Sequence, residues 1–235
     1  MRPISARSGA ALVAFVCAIS VGETAGAQSE TVYETQFLDP AQSATDWGFP
    51  AGTTEVTEDG YTAAFTPGAL TVTLDGVPNV SIGPDFGNDA VGTLPADQAV
   101  EARIASSSGD ESALFGVSCR SALSPNAVGY SFLVGADGFF TIGRYDGKGN
   151  AKAIVNPKGT KRTEAFDPTS FNIVRGECVG KRKVKLTLSV NGEKVASTVD
   201  KAPPKKLGDE AFLVTEVAEG ESVVVEFTGF AAHAI

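Results

Sequence analysis

Residues 112–145 read SALFGVSCRSALSPNAVGYSFLVGADGFFTIGRY, and their apolar period is two. Ala113, Phe115, Val117 and Cys119 alternate with Leu114, Gly116, Ser118 and Arg120, and Tyr130, Phe132 and Val134 alternate with Ser131 and Leu133. A repeat of two puts alternate side chains on opposite faces of an extended chain, whereas a helix repeats every 3.6 residues. The Gly-Ala-Asp-Gly turn at 135–138 then leads into a further aromatic run, so the segment is predicted to form three consecutive antiparallel strands.

The same logic recurs downstream. Val184, Leu186, Leu188 and Val190 point one way and Lys183, Lys185, Thr187 and Ser189 the other, giving one core face and one wet face. Asn191-Gly192 follows as a two-residue hairpin turn, and residues 193–199 return along it. Further strands are expected at 31–37, 60–66 and 69–75 (a hairpin across Pro67-Gly68), 98–105, 151–156, 171–178, 211–217 and 222–230. The total is about fourteen strands with no convincing amphipathic helix, which predicts an all-β fold, a two-sheet antiparallel β-sandwich. Its core should include Phe115, Val117, Phe132, Ile142 and the Val184–Val190 face.

Residues 1–27 differ from the rest. Arg2 and Arg7 precede an uncharged run from Gly9 to Gly22, and Ala25-Gly26-Ala27 offers small residues before Gln28, the pattern of a cleaved secretory signal peptide. An uncharged run of 14 residues is too short to span a bilayer, so no membrane insertion is expected after cleavage. Residues 28–235 then form a single β-sandwich domain, secreted or periplasmic. Cys17 leaves with the signal, and Cys119 and Cys178 can pair without ambiguity in an oxidising compartment. Of the 19 basic and 28 acidic residues, 17 and 27 remain after cleavage, a net charge of −10 that repels nucleic acid and anionic lipid.

Much chemistry is missing. The single histidine, His233, is the third residue from the end, where a frayed position is a poor catalytic base or zinc ligand. No phosphate-cradling loop is present. Glycoside hydrolysis needs only two carboxylates, but Glu101, Asp110, Glu111 and Glu177 fall on separate strands or loops. Asp85, Asn88 and Asp89 could offer oxygens to Ca2+, although without the spacing of a known calcium loop an ordinary solvated loop is the better reading, and no metal or cofactor is assigned. Trp47, the only tryptophan, reads as an anchor plugged into one end of the core rather than an exposed stacking platform. The lysines of 181–185 with Lys201, Lys205 and Lys206 read as a solvated face that discourages edge pairing rather than a polyanion site.

The order Phe37, Asp39, Trp47, then GVSCR (116–120), GYSFLVGADGFFTIGRY (129–145), FNIVRGECVG (171–180) and LTLSVNGEKVAS (186–197) resembles the concanavalin A-like lectin/glucanase jelly rolls. Among these it is most similar to bacterial extracytoplasmic domains related to the 3-keto-disaccharide hydrolase and laminin-G-like groups. The resemblance implies two packed antiparallel sheets and a role in binding glycan or protein outside the cell; it carries no catalytic residue across. Three functions follow in order: a non-catalytic glycan-binding module, a protein-interaction domain of the cell envelope, and a glycoside hydrolase without a recognisable motif. Sugar recognition wants an aromatic face with planar bidentate donors beside it. Arg120, Tyr130, Arg144 and Tyr145 are the candidate ligand-binding residues, with core-edge aromatics and solvated arginines as the equal alternative.

Overall fold

The computed structural model describes residues 29–58, 60–86, 91–122, 127–148 and 150–235. The leader, Asn88 and Asp89 lie outside the described residues. In chain order the elements are β1 (Glu30–Thr35), α1 (Pro40–Asp46), β2 (Glu55–Glu58), β3 (Tyr61–Thr66), β4 (Ala69–Asp75), β5 (Asn79–Ile82), β6 (Gln98–Gly109), β7 (Leu114–Ala122) and β8 (Val128–Gly135). There follow β9 (Phe140–Asp146), β10 (Ala151–Val155), β11 (Asn172–Val179), β12 (Val184–Val190), β13 (Glu193–Asp200), β14 (Glu210–Glu216) and β15 (Ser222–Ala234).

These strands form a two-sheet antiparallel sandwich of the jelly-roll type. One sheet runs β13-β12-β11-β6-β15-β4-β3-β2, with β1 also paired to β15, and the six-stranded sheet runs β10-β9-β8-β7-β14-β5. Strand β15 is flanked by β6 along one edge and by β4 and then β1 along the other. The alternation dictates what lies between the sheets: Phe115, Val117, Phe132, Ile142, Val184, Leu186, Leu188 and Val190 are all fully buried. Phe132 reaches across onto Gly176 of β11, where a Cβ would stand 2.4 Å from its ring, so this strand position has room only for hydrogen. Asn191 and Gly192 adopt φ of 51° and 80°, as the predicted tight turn between β12 and β13 requires.

Cys119 of β7 and Cys178 of β11 are bonded, with Cα atoms 6.4 Å apart. The bridge therefore ties one sheet to the other.

Three expectations need correction. The stretch after β1 contains a helix, seven residues long, which starts because Asp39 caps the amides of Ala41 and Gln42 and Pro40 fits its first turn. The Lys183–Lys185 strand is not a sheet edge, since β13 covers it, although both lysines are exposed. His233 is not frayed: it lies within β15, paired to Thr31 of β1 and Ala99 of β6, with its Nδ1 3.2 Å from the Thr31 hydroxyl.

Trp47 is buried, as expected of a core plug. Its ring meets Phe37, Phe65 and Phe230 at centroid distances of 5.5 Å each, and its Nε1 donates to the Tyr33 hydroxyl at 3.1 Å. Burial, with the Asp46 carboxylate adding to it, pushes the Tyr33 phenol up to about 12.

Candidate functional site

The four sequence-predicted site residues do not share a surface. Tyr130 has the strand parity of Phe132, points between the sheets and has no exposed area. Its hydroxyl donates to Asp200 Oδ2 at 2.9 Å, and Arg144 Nη1 meets the same oxygen at 3.2 Å. Arg120 is 8% exposed and has φ of 51° at a bulge in β7, with one guanidinium nitrogen on the Gly180 carbonyl and its own amide on Gln98 Oε1 at 2.8 Å. Three of the four residues thus form a polar network inside one end of the sandwich. Tyr145 alone projects from the outer face of the six-stranded sheet.

That network grips a loop. Asp200 Oδ1 accepts from the Ala202 amide at 3.0 Å, Arg144 Nη1 donates to the Ala202 carbonyl at 2.9 Å, and the Arg120 carbonyl accepts from the Gly208 amide at 3.0 Å. Both ends of residues 202–208 are therefore fixed. Burial pushes the Asp200 carboxyl up, but the Ala202 amide, the Tyr130 hydroxyl and the Arg144 guanidinium outweigh it, leaving Asp200 below the ordinary aspartate range.

On the outer face, Tyr145 of β9 and Glu216 of β14 are separated by β8 and β7, about 14 Å of backbone at the usual strand spacing. Their side chains nevertheless meet, the Tyr145 hydroxyl donating to Glu216 Oε1 at 2.7 Å. They can do so because the middle strands present small outward side chains there, Gly116 and Ser118 on β7 and Ser131 facing Gly143 across β8 and β9. Burial pushes the Glu216 carboxyl up, the Tyr145 bond only partly offsetting it, and burial and the Glu216 carboxylate hold the Tyr145 phenol above the ordinary tyrosine range.

Tyr145 stands between two clefts. One, of about 260 Å3, is lined by Ser81, Ser118, Ser121 and Val128. The other, of about 340 Å3, is lined by Ser131, Thr141, Arg144, Lys152 and Glu216. Asn79 and Tyr145 line both. The floor is hydroxyl-rich and deep: Ser118 is 5% exposed, yet its Oγ has no hydrogen-bond partner among the described residues. A buried hydroxyl without a partner is costly in a folded protein unless something else satisfies it.

Glu216 is the residue that sequence reasoning missed. Its bond to Tyr145 joins strands 71 residues apart in sequence, and no local pattern announces such a pair. The carboxylates weighed for hydrolysis lie elsewhere. Glu101 and Glu177 share the Arg175 guanidinium at 2.5 and 3.0 Å on the nine-stranded sheet, and Asp110 holds the amide and hydroxyl of Ser112. Among the described residues, no group of three or more His, Cys, Asp or Glu is placed to hold a metal ion, and no helix is long and apolar enough to cross a membrane.

The raised Glu216 pKa makes a sign-specific prediction. A carboxyl that binds its proton more tightly folded than unfolded contributes stability that is fully present below the ordinary glutamate value of about 4.3 and is lost as pH rises through its folded pKa. Glu216→Gln keeps an acceptor for Tyr145 and removes the titration. The difference in melting temperature, variant minus wild type, should therefore grow from pH 4 to pH 8; a flat difference would show that Glu216 is not desolvated.

No protein-family model matches the chain, and no curated protein matches it. Several solved structures are similar at low identity. The chain is similar to the carbohydrate recognition domain of Emp46p (TM-score 0.49, 14% identity, covering 87% of this chain and 97% of that one). It is also similar to the carbohydrate binding module CBM66 from Bacillus subtilis (TM-score 0.40, 13% identity, covering 84% and 91%). A sialidase is matched over 76% of this chain (TM-score 0.48, 10% identity), which spans only 16% of the sialidase chain.

Proposed function

We propose that this chain is an exported glycan-binding module whose site is the outer face of the six-stranded sheet around Tyr145. The observation that carries this reading is the Ser118 hydroxyl, buried and unpartnered in a cleft whose walls also include Ser81, Ser121, Asn79 and Tyr145 beside the apolar Val80, Val128 and Val214. Pyranoses present both the C–H faces that pack on an aromatic ring and the hydroxyls that satisfy such donors and acceptors. Tyr145 acts as the contact residue, Arg144 lines the neighbouring cleft, and Arg120 and Tyr130 support from behind. Export is supported by the Cys119–Cys178 bridge, which belongs to an oxidising compartment. Kinship with the 3-keto-disaccharide hydrolase and laminin-G-like groups is part of the same proposal, supported by the GVSCR and FNIVRGECVG segments being the two partners of the bridge.

A glycan-array screen of the protein from Gln28 onward tests the reading, followed by calorimetric titration of the best hit. Tyr145→Ala should weaken that hit at least ten-fold. Ser118→Ala should weaken it by roughly five-fold while leaving the melting temperature unchanged or raised, because removing an unsatisfied hydroxyl costs the folded state nothing. An array without a hit, or a hit whose affinity survives Tyr145→Ala, would sink the proposal.

A further inference from the structure

A third cavity, of about 700 Å3, adjoins the 260 Å3 cleft through Val128, and its walls include Lys148, Lys205, Lys206 and the Pro203-Pro204 pair. Val128 lines both spaces, with Tyr145 and Ser118 on one side of it and Lys148, Lys205 and Lys206 on the other, in one row. All three lysines are exposed, and among the described residues none is in an ion pair.

The acidic groups here are hydrogen-bonded within the fold. Asp146 accepts from the Lys148 amide at 2.8 Å and from the Asn150 side chain at 2.9 Å, and Glu216 is taken by Tyr145. The chain as a whole carries a net charge of −9, whereas the lining of the larger cavity holds three lysines against one carboxylate, Asp146, and so runs against the composition. Nor is the lysine-bearing loop free to drift, since Ala202 is held by Asp200 and Arg144 and Gly208 by the Arg120 carbonyl. A pre-set loop presents its cations with less ordering cost than a mobile one.

We infer that the ligand of this row is an extended anionic glycan, several residues long, whose acidic groups meet Lys148, Lys205 and Lys206 at one end while one sugar ring packs at Tyr145 over Ser118 at the other. The inference rests on the glycan-binding reading above and adds its charge and length. Carboxylates of uronic acids and sulfate esters share the required chemistry.

Four oligosaccharides of at least four residues separate the outcomes: oligogalacturonate, its methyl ester, a sulfated galactan oligosaccharide and its desulfated form, each titrated at 50 and 300 mM NaCl. An acidic member should bind at least ten-fold tighter than its neutral twin and weaken several-fold at the higher salt; whichever acid does so identifies carboxylate or sulfate as the group read. Lys205→Gln with Lys206→Gln should weaken that acid about ten-fold, roughly 1.4 kcal/mol, with an unchanged melting temperature. Equal affinity for an acid and its neutral twin overturns the anionic inference and leaves the glycan reading standing. Acid binding that is indifferent to the double substitution overturns the placement along this row. Binding of no glycan here or on the array removes both.

Discussion

Replacing Cys119 and Cys178 together by alanine lowers the stability of the folded chain by about 2–5 kcal/mol. The bridge spans 59 residues of sequence, a closure that in the chain-entropy model removes roughly 4 kcal/mol of freedom from the unfolded ensemble. It also joins β7 to β11, one strand from each sheet, at the position where Arg120 leaves the regular ladder to hold Gly208. Both cysteines are fully buried, so alanine leaves a small void in addition to the lost crosslink. Urea unfolding of wild type and variant, both non-reduced, measures the difference. A variant within 0.5 kcal/mol of wild type would mean that the sheets are held together without help from the bridge.

Trp47→Ala should cost about 3–5 kcal/mol, the range for removing a large buried aromatic side chain. The indole sits among Phe37, Phe65 and Phe230, and its loss also strips the Tyr33 hydroxyl of its donor. Trp47→Phe should recover part of the loss, since a ring of intermediate size fills some of the space while the Nε1 bond stays absent. Unfolding must be followed by circular dichroism, because Trp47 is the only tryptophan and its fluorescence disappears with it. A cost under 1 kcal/mol would show that this aromatic cluster is peripheral to the core.

The alternation in the central stretch was enough to read β7, β8 and β9 and the buried face of β12, because a period of two is a local property of the chain. The neighbours of those strands were not legible. That β7 pairs with β14, or that β6 lies between β11 and β15, depends on contacts between residues far apart in sequence. The helix at 40–46 escaped because seven residues are too few to show an apolar stripe, leaving only its Asp39 cap and Pro40 as signals.

The candidate site divides along the same line. Burial of Tyr130 follows from its sharing a strand face with Phe132, and the inward side of Arg144 from its parity with Ile142. Arg120 is different, since the bulge and its positive φ break the parity that would otherwise place it. The groove around Tyr145 became visible only when Glu216 arrived from β14 and Asn79 from β5, both brought beside the central strands by pairing that no short window contains.

Strand β15 has a consequence for how the molecule is made. It supplies an edge partner for β6, β4 and β1 at once, and it follows all three in the chain, so it is synthesised after them. Until it emerges, the larger sheet exists at most as two pieces, β13-β12-β11-β6 and β4-β3-β2, with β1 unpaired and open edges waiting on either side. Closure over some 200 residues of sequence separation is slow, so the larger sheet stays open until β15 has been made. A chain threaded unfolded through a translocon loses nothing by that delay. One retained in the cell would spend it as an aggregation-prone substrate for chaperones and proteases, and a product lacking residues 222–234 would remain such a substrate indefinitely.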